Sequence, residues 1–133
     1  MWKGRTVQDV LLKGLRVLVL EDEILIALDL EQICRDLGAD DVVIARSLDD
    51  ANALAGAVFD IAVLDVMLAG SSTVGFASGL REKGVPFVFT TGYIDPERFL
   101  GDLSDVQIVE KPFSSEALVA AIARVLEPGV GSA

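Results

Sequence analysis

Glu21, Asp22, Asp65, Thr91 and Lys111 stand at the ends of short apolar runs, and together they supply three carboxylates, a hydroxyl and an ammonium. In an open parallel sheet the carboxyl ends of neighbouring strands face one crevice, so residues far apart in sequence meet there. That set of groups suits a hard cation and a phosphoryl group. Glu21, Asp22 and Glu23 follow Val17 to Leu20, where a strand gives way to a helix. Alone, these acids are better read as helix capping, because carboxylates near a helix N-terminus gain from its dipole. Asp65 shifts the balance. It closes Ile61 to Leu64, the most apolar strand of the chain, and the first and third strands are neighbours at the switch point of this topology. Two carboxylates about 5 Å apart repel by roughly 3 kcal/mol at an effective dielectric near 20, so the pocket needs a proton or a cation. Mg2+ takes one or two carboxylates with waters and a phosphoryl oxygen, which fits Asp22 and Asp65, with Glu21 acting directly or through water. Lys111 follows Val109 and Glu110 and precedes Pro112, at the end of the last strand. There its ammonium is aimed into the acidic pocket and can bind a phosphoryl oxygen as a point charge. Thr91 taken singly is structural, since β-branched residues suit strands, and with Thr90 directly before it periodicity does not choose between the two.

The elements that must position these groups alternate along the chain. Leu15 to Leu20, Val42 to Ala45, Ile61 to Leu64, Phe87 to Phe89 and Val106 to Val109 are near-continuous apolar runs with helix-like segments between them. Short runs without polar alternation read as strands covered on both faces, and five of them predict a doubly wound α/β domain. Ser47 with Asp50 forms a capping box, Asp95 before Pro96 starts a short helix, and Ser114 caps the last one. Gly38 and Gly84 are helix stops, and Pro86 opens the fourth strand without losing a ladder bond. In the first helix Ile26, Leu30, Ile33 and Leu37 form a core stripe, while Ile24 and Leu28 point nearly the other way as a second apolar strip. Ahead of the domain, Thr6 and Asp9 make a capping box for a short helix carrying Val7, Val10 and Leu11 on one side. That segment reads as a frayed tail, as a flap over Ile24 and Leu28, or as a homodimer or partner contact. The expected organisation is an N-terminal extension at 1–14, one domain at 15–127 and a disordered tail at 128–133.

The chain has 133 residues, 52% of them apolar, enough for one domain that buries roughly two thirds of its unfolded surface. Its 11 basic and 21 acidic side chains give a net charge of −10, which argues against direct DNA binding and against anionic membranes. The lone Cys34 falls within an apolar helical pattern and reads as a small core residue. No apolar run approaches the roughly 18 residues of a membrane span and no signal-peptide core precedes the domain, so a cytoplasmic protein is expected.

Four motifs in order carry a resemblance. Val19-Leu20-Glu21-Asp22-Glu23, then Asp65 followed by Val66-Met67-Leu68, then Phe89-Thr90-Thr91-Gly92-Tyr93, then Glu110-Lys111-Pro112-Phe113 resemble the receiver domain of bacterial two-component response regulators over about residues 15 to 127. The third motif is similar to that of an alphaproteobacterial subgroup with a Phe-Ala-Thr-Gly motif, Thr90 replacing alanine. The resemblance implies a flavodoxin-like fold with strand order 2-1-3-4-5. It also implies Asp65 as phosphoacceptor, Glu21 and Asp22 as the acidic pair for Mg2+, and Met67 as donor of a backbone carbonyl to the metal. Lys111 is then the phosphoryl partner, Thr91 the switch hydroxyl, and the Lys111-Pro112 bond cis. A sensor histidine kinase would supply the phosphoryl group, and a downstream protein would read it. With no room for an output domain, the activity is expected to be delivered by binding another protein; with no histidine, the chain is not the kinase's phosphohistidine element, and it is expected to be a phosphoacceptor and not a conventional enzyme. Departures are visible too. Ala69 replaces the usual proline, the stretch from Gly70 to Gly75 predicts a longer and looser loop, and Ile108 stands where an aromatic switch residue is usual. Competing readings are a phosphate sink or relay, a receiver-like interaction module that takes no phosphate, and a Mg2+-dependent phosphohydrolase. The last lacks a second catalytic aspartate, since Met67 stands two residues after Asp65.

Overall fold

A computed structural model describes residues 10–54, 56–92 and 106–127. In chain order the strands are β1 (Arg16–Leu20), β2 (Asp41–Ala45), β3 (Ile61–Asp65), β4 (Met67–Leu68), β5 (Ser71–Ser72), β6 (Phe87–Thr91) and β7 (Gln107–Glu110). The helices are α1 (Ile24–Asp36), α2 (Leu48–Ala53), α3 (Val74–Glu82) and α4 (Ser115–Leu126). Five strands form one parallel sheet in the order β2-β1-β3-β6-β7, and β4 pairs with β5 in a separate hairpin. Setting the hairpin aside, this is the doubly wound, flavodoxin-like order 2-1-3-4-5 that the resemblance implies.

Side chains alternate between the two faces of the sheet, and each face has its own core. Leu18, Leu20, Ala62, Leu64, Phe87 and Phe89 pack on one side with Ala51 of α2 and with Ala77 and Leu80 of α3. Val17, Val19, Ile61, Val63, Val88 and Val109 pack on the other with Leu30 and Cys34 of α1 and with Leu118, Ala121 and Ile122 of α4. β3 and β6 are buried along their whole length. Each fully buried Leu, Ile or Phe contributes about 1.5–3 kcal/mol, so this double packing holds the strand ends in fixed register.

The local signals act as read. Ser47 and Ser114 accept the N–H groups of Asp50 and Ala117, and Gly38 and Gly84 follow α1 and α3 with φ of 94° and 75°. The α1 stripe is rotated slightly from expectation. Ala27, Leu30 and Cys34 are fully buried, while Ile26 and Ile33 flank them half-buried, because small side chains let the helix sit close on the sheet. Burial pushes the Cys34 thiol up to about 12. Ile24 and Leu28, joined by Leu25, are exposed. Leu12 is fully buried in the second core and donates its N–H to the Leu37 carbonyl at 2.9 Å. The Thr6–Asp9 capping box, Tyr93, the helix start at Asp95 and the C-terminal tail lie outside the described residues. Among the described residues no helix is long and apolar enough to cross a membrane.

Candidate functional site

β1 and β3 are neighbours, β6 stands between β3 and β7, and the parallel strands end at one edge of the sheet, which brings Glu21, Asp22, Asp65 and Lys111 together there. Glu21 is completely buried, and its N–H donates to Ala45 O at 3.1 Å, which carries the β1–β2 ladder one residue past the strand. Its Oε2 accepts the Glu23 N–H at 3.1 Å, fixing the turn into α1. Asp22 is half-exposed at that turn, and Arg46, from the end of β2, donates to its carbonyl at 2.9 Å. Asp65 is 7% exposed; its Oδ1 accepts the Met67 N–H at 3.2 Å and its Oδ2 accepts from Lys111 Nζ at 2.9 Å. The same ammonium stands 2.7 Å from Glu21 Oε1.

That last contact is a close ion pair with a completely buried carboxylate oxygen. A buried carboxylate oxygen held this way keeps a lone pair for a cation. Glu21, Asp22 and Asp65 each offer an oxygen within 4.8 Å of one another, close enough for one ion to touch all three. The residues therefore fit a hard divalent cation: three acids face one ammonium, and the excess negative charge is only partly solvated.

Burial raises Asp65 to about 6, the Lys111 hydrogen bond and charge pulling it down and Glu21 pushing it up. For Lys111, burial alone would lower the ammonium, but Glu21 and Asp65 more than offset it and hold it above its ordinary value. The nucleophile candidate is thus poised between its two forms, while the cation beside it stays charged.

The loop after Asp65 is more ordered than the sequence suggests. Ala69 and Gly70 have φ of 49° and 83°, the two successive positive values of a tight hairpin turn, so β4 and β5 pair across a two-residue loop. Fully buried Thr73 then donates its hydroxyl to the Asp65 carbonyl at 2.6 Å, with the Val66 carbonyl 3.2 Å away, and its own N–H donates to Val66 O at 2.9 Å. Sequence reasoning missed this clamp; a threonine immediately before α3 was its only signal. It also missed Arg46. Thr91 is 7% exposed, and its carbonyl accepts the Lys111 N–H at 2.8 Å, tying β6 to the residue that carries the ammonium. The Lys111-Pro112 bond is cis. Ile108, at the place of the usual aromatic switch, is half-buried against the first core.

No family model matches the chain. The Phyllosphere-induced regulator PhyR of Methylorubrum extorquens is 34% identical over 116 residues, covering 83% of this chain and 43% of that protein. Among solved structures, the response regulator PhyR from Brucella abortus superposes with a TM-score of 0.73 at 32% identity, covering 89% of this chain and 50% of its own. A variant of the anti-anti-sigma factor PhyR from Bartonella quintana gives a TM-score of 0.69 at 29% identity, with 86% and 50% covered. The chemotaxis response regulator CheY4 of Vibrio cholerae gives 0.73 at 27% identity, with 84% of this chain and 98% of that one covered. The chain spans about half the length of the PhyR proteins it matches and nearly all of the chemotaxis regulator. Its homologues are the receiver domains of response regulators, those of PhyR and of CheY-like proteins alike.

Proposed function

We propose that this chain accepts a phosphoryl group on Asp65 from a phosphohistidine of a sensor kinase and signals through the altered surface that results. The observation that carries this reading is Lys111 bridging Asp65 and Glu21 at 2.9 and 2.7 Å, with the three acids within reach of one ion. An oxygen of the Asp65 carboxylate attacks phosphorus, a P–O bond forms as the P–N bond breaks, and the imidazole leaves with the electron pair and takes a proton. Lys111 follows the developing charge on the phosphoryl oxygens, and the Met67 N–H keeps the attacking carboxylate in place. Glu21, Asp22 and Asp65, with the Met67 carbonyl, would hold Mg2+. When bound, that ion supplies positive charge that screens carboxylate and phosphoryl oxygens from each other. The Thr91 hydroxyl would meet one phosphoryl oxygen and bias the loop that follows it. The output is read by a partner protein, in keeping with the anti-anti-sigma factor role of the Bartonella quintana relative, and nothing in the site calls for nucleic acid.

The test is intact-mass and peptide spectrometry after exposure to acetyl phosphate with Mg2+. One added phosphoryl group on the peptide containing Asp65 is expected, lost when the metal is chelated. Label on another residue sinks the reading.

A pH dependence follows. Between about pH 4 and 6 the folded chain keeps a proton on Asp65 that the unfolded chain has already released, so this group makes stability fall as pH rises through that window. The fall is expected to be roughly 1–3 kcal/mol and complete by about pH 7, one unit above the folded value. Mg2+ competes with that proton, so denaturant midpoints measured with the ion should lose most of the fall, and Mg2+ affinity should drop about tenfold per pH unit below 6. Mg2+ stabilisation equal at pH 5 and pH 7.5 would contradict this.

A further inference from the structure

Thr90 is completely buried, and its hydroxyl has no hydrogen-bond partner among the described residues. Its backbone is fully engaged: its carbonyl accepts the Val66 N–H at 2.9 Å, and it stands in register with Asp65 on β3 and Val109 on β7. Residues paired across a parallel ladder project from the same face of the sheet, on strands about 4.8 Å apart. The Thr90 side chain therefore lies beside that of Asp65, on the face that Val88 and Val109 occupy below. A valine would fill the same shape without a polar atom. An unpaired buried hydroxyl weakens folding by a factor of about five to 150, so a buried threonine without a partner among the described residues is held at a cost that a valine would not carry.

We propose that the Thr90 hydroxyl is a reserve donor for the phosphorylated site, an inference that rests on Asp65 being the acceptor. In the resting chain both Asp65 oxygens already have donors, Met67 on Oδ1 and Lys111 on Oδ2. Phosphoryl transfer brings new anionic oxygens into the pocket and draws the Lys111 ammonium toward them. The carboxyl oxygen that Lys111 gives up then faces Thr90, whose hydroxyl turns to donate to it. Thr90 thus gains a bond that exists only in the loaded state, and it favours that state over the resting one. This role differs from that assigned to Thr91, which follows the phosphoryl group itself.

The experiment uses the full chain with beryllofluoride and Mg2+ as a stand-in for the phosphoryl group, read by titration calorimetry, together with the decay of the phosphorylated form made with acetyl phosphate. Thr90→Val is expected to raise the melting temperature of the resting chain, to weaken beryllofluoride binding about tenfold and to shorten the lifetime of the aspartyl phosphate. Thr90→Ser, which keeps the hydroxyl, should bind within about twofold of the parent. If valine does not fold, Thr90→Ala removes the same hydroxyl and is read in the same way. Beryllofluoride bound equally by the parent and the valine or alanine variant overturns the inference, as does a serine variant as weak as valine. A parent that neither binds beryllofluoride nor takes up phosphoryl groups sinks the underlying reading of Asp65 instead, so the two failures are distinguishable.

Discussion

Asp65→Asn is expected to take up no phosphoryl group from acetyl phosphate with Mg2+, and yet to be more stable than the parent at pH 7.5 in the absence of metal. The first half follows from chemistry. The side-chain amide has no anionic oxygen to attack phosphorus, and the other acids sit where they can hold a cation, not where they can replace the nucleophile. The second half follows from the site's electrostatics. Burial is the largest influence on Asp65 and raises it to about 6, outweighing the stabilising contact with Lys111, so the ionised form at pH 7.5 is held against its preference. Asparagine keeps the shape and can still accept the Met67 N–H. Lys111 is not orphaned either, because Glu21 remains 2.7 Å away. A gain of about 1–3 kcal/mol is expected in urea unfolding. Uptake of as much label as the parent would mean that Asp65 is not the acceptor, and a loss of stability would mean that the Lys111 pairing outweighs burial.

Lys111→Met has the opposite sign. The Lys111 side chain is 14% exposed, and its ammonium is shared by two carboxylates, one of them completely buried. Methionine replaces the stem but leaves those acids facing each other without a counter-charge. Removing one partner of such a buried pair costs about 3–5 kcal/mol, and that full loss is expected at pH 8. At pH 5 Asp65 takes up a proton, and less than half of the loss should remain. Millimolar Mg2+ at pH 8 should restore most of it, since a divalent ion among Glu21, Asp22 and Asp65 does the work of the missing cation. Urea midpoints at the two pH values, with and without the ion, measure all three terms. A loss unchanged by pH and by Mg2+ would show that the lysine matters for packing alone.

Much of this was legible in the sequence because buried parallel strands carry a strong signal. Val17 to Leu20, Ile61 to Leu64 and Val106 to Val109 have no polar alternation, so they had to be covered on both faces, and whatever followed them had to lie at the sheet's edge. The Lys111 contacts follow from that alone. The caps at Ser47 and Ser114 were equally visible, since a hydroxyl three residues before a free N–H acts locally. What escaped depends on the third dimension. Thr73 bonds a carbonyl eight residues earlier, a distance no local pattern encodes. The hairpin after Asp65 was hidden because Ala69 takes a positive φ that alanine does not advertise. On α1, small Ala27 and Cys34 turned out to be the innermost residues, because closeness of approach and not hydrophobicity decides which side of a stripe goes deepest. That Thr90 and not Thr91 stands in register with Asp65 follows from the pairing with β3, which apolar spacing cannot supply.

Cys34 has a practical consequence. The chain contains one thiol, and that thiol is sealed beneath α1 with its proton held tightly. Maleimides and disulfide reagents at neutral pH should therefore pass over the native fold, and the reaction becomes a gauge of global opening. A cysteine introduced at exposed Leu25 would carry a fluorophore or spin label without competition from the background, a single reporter next to the turn that presents Asp22.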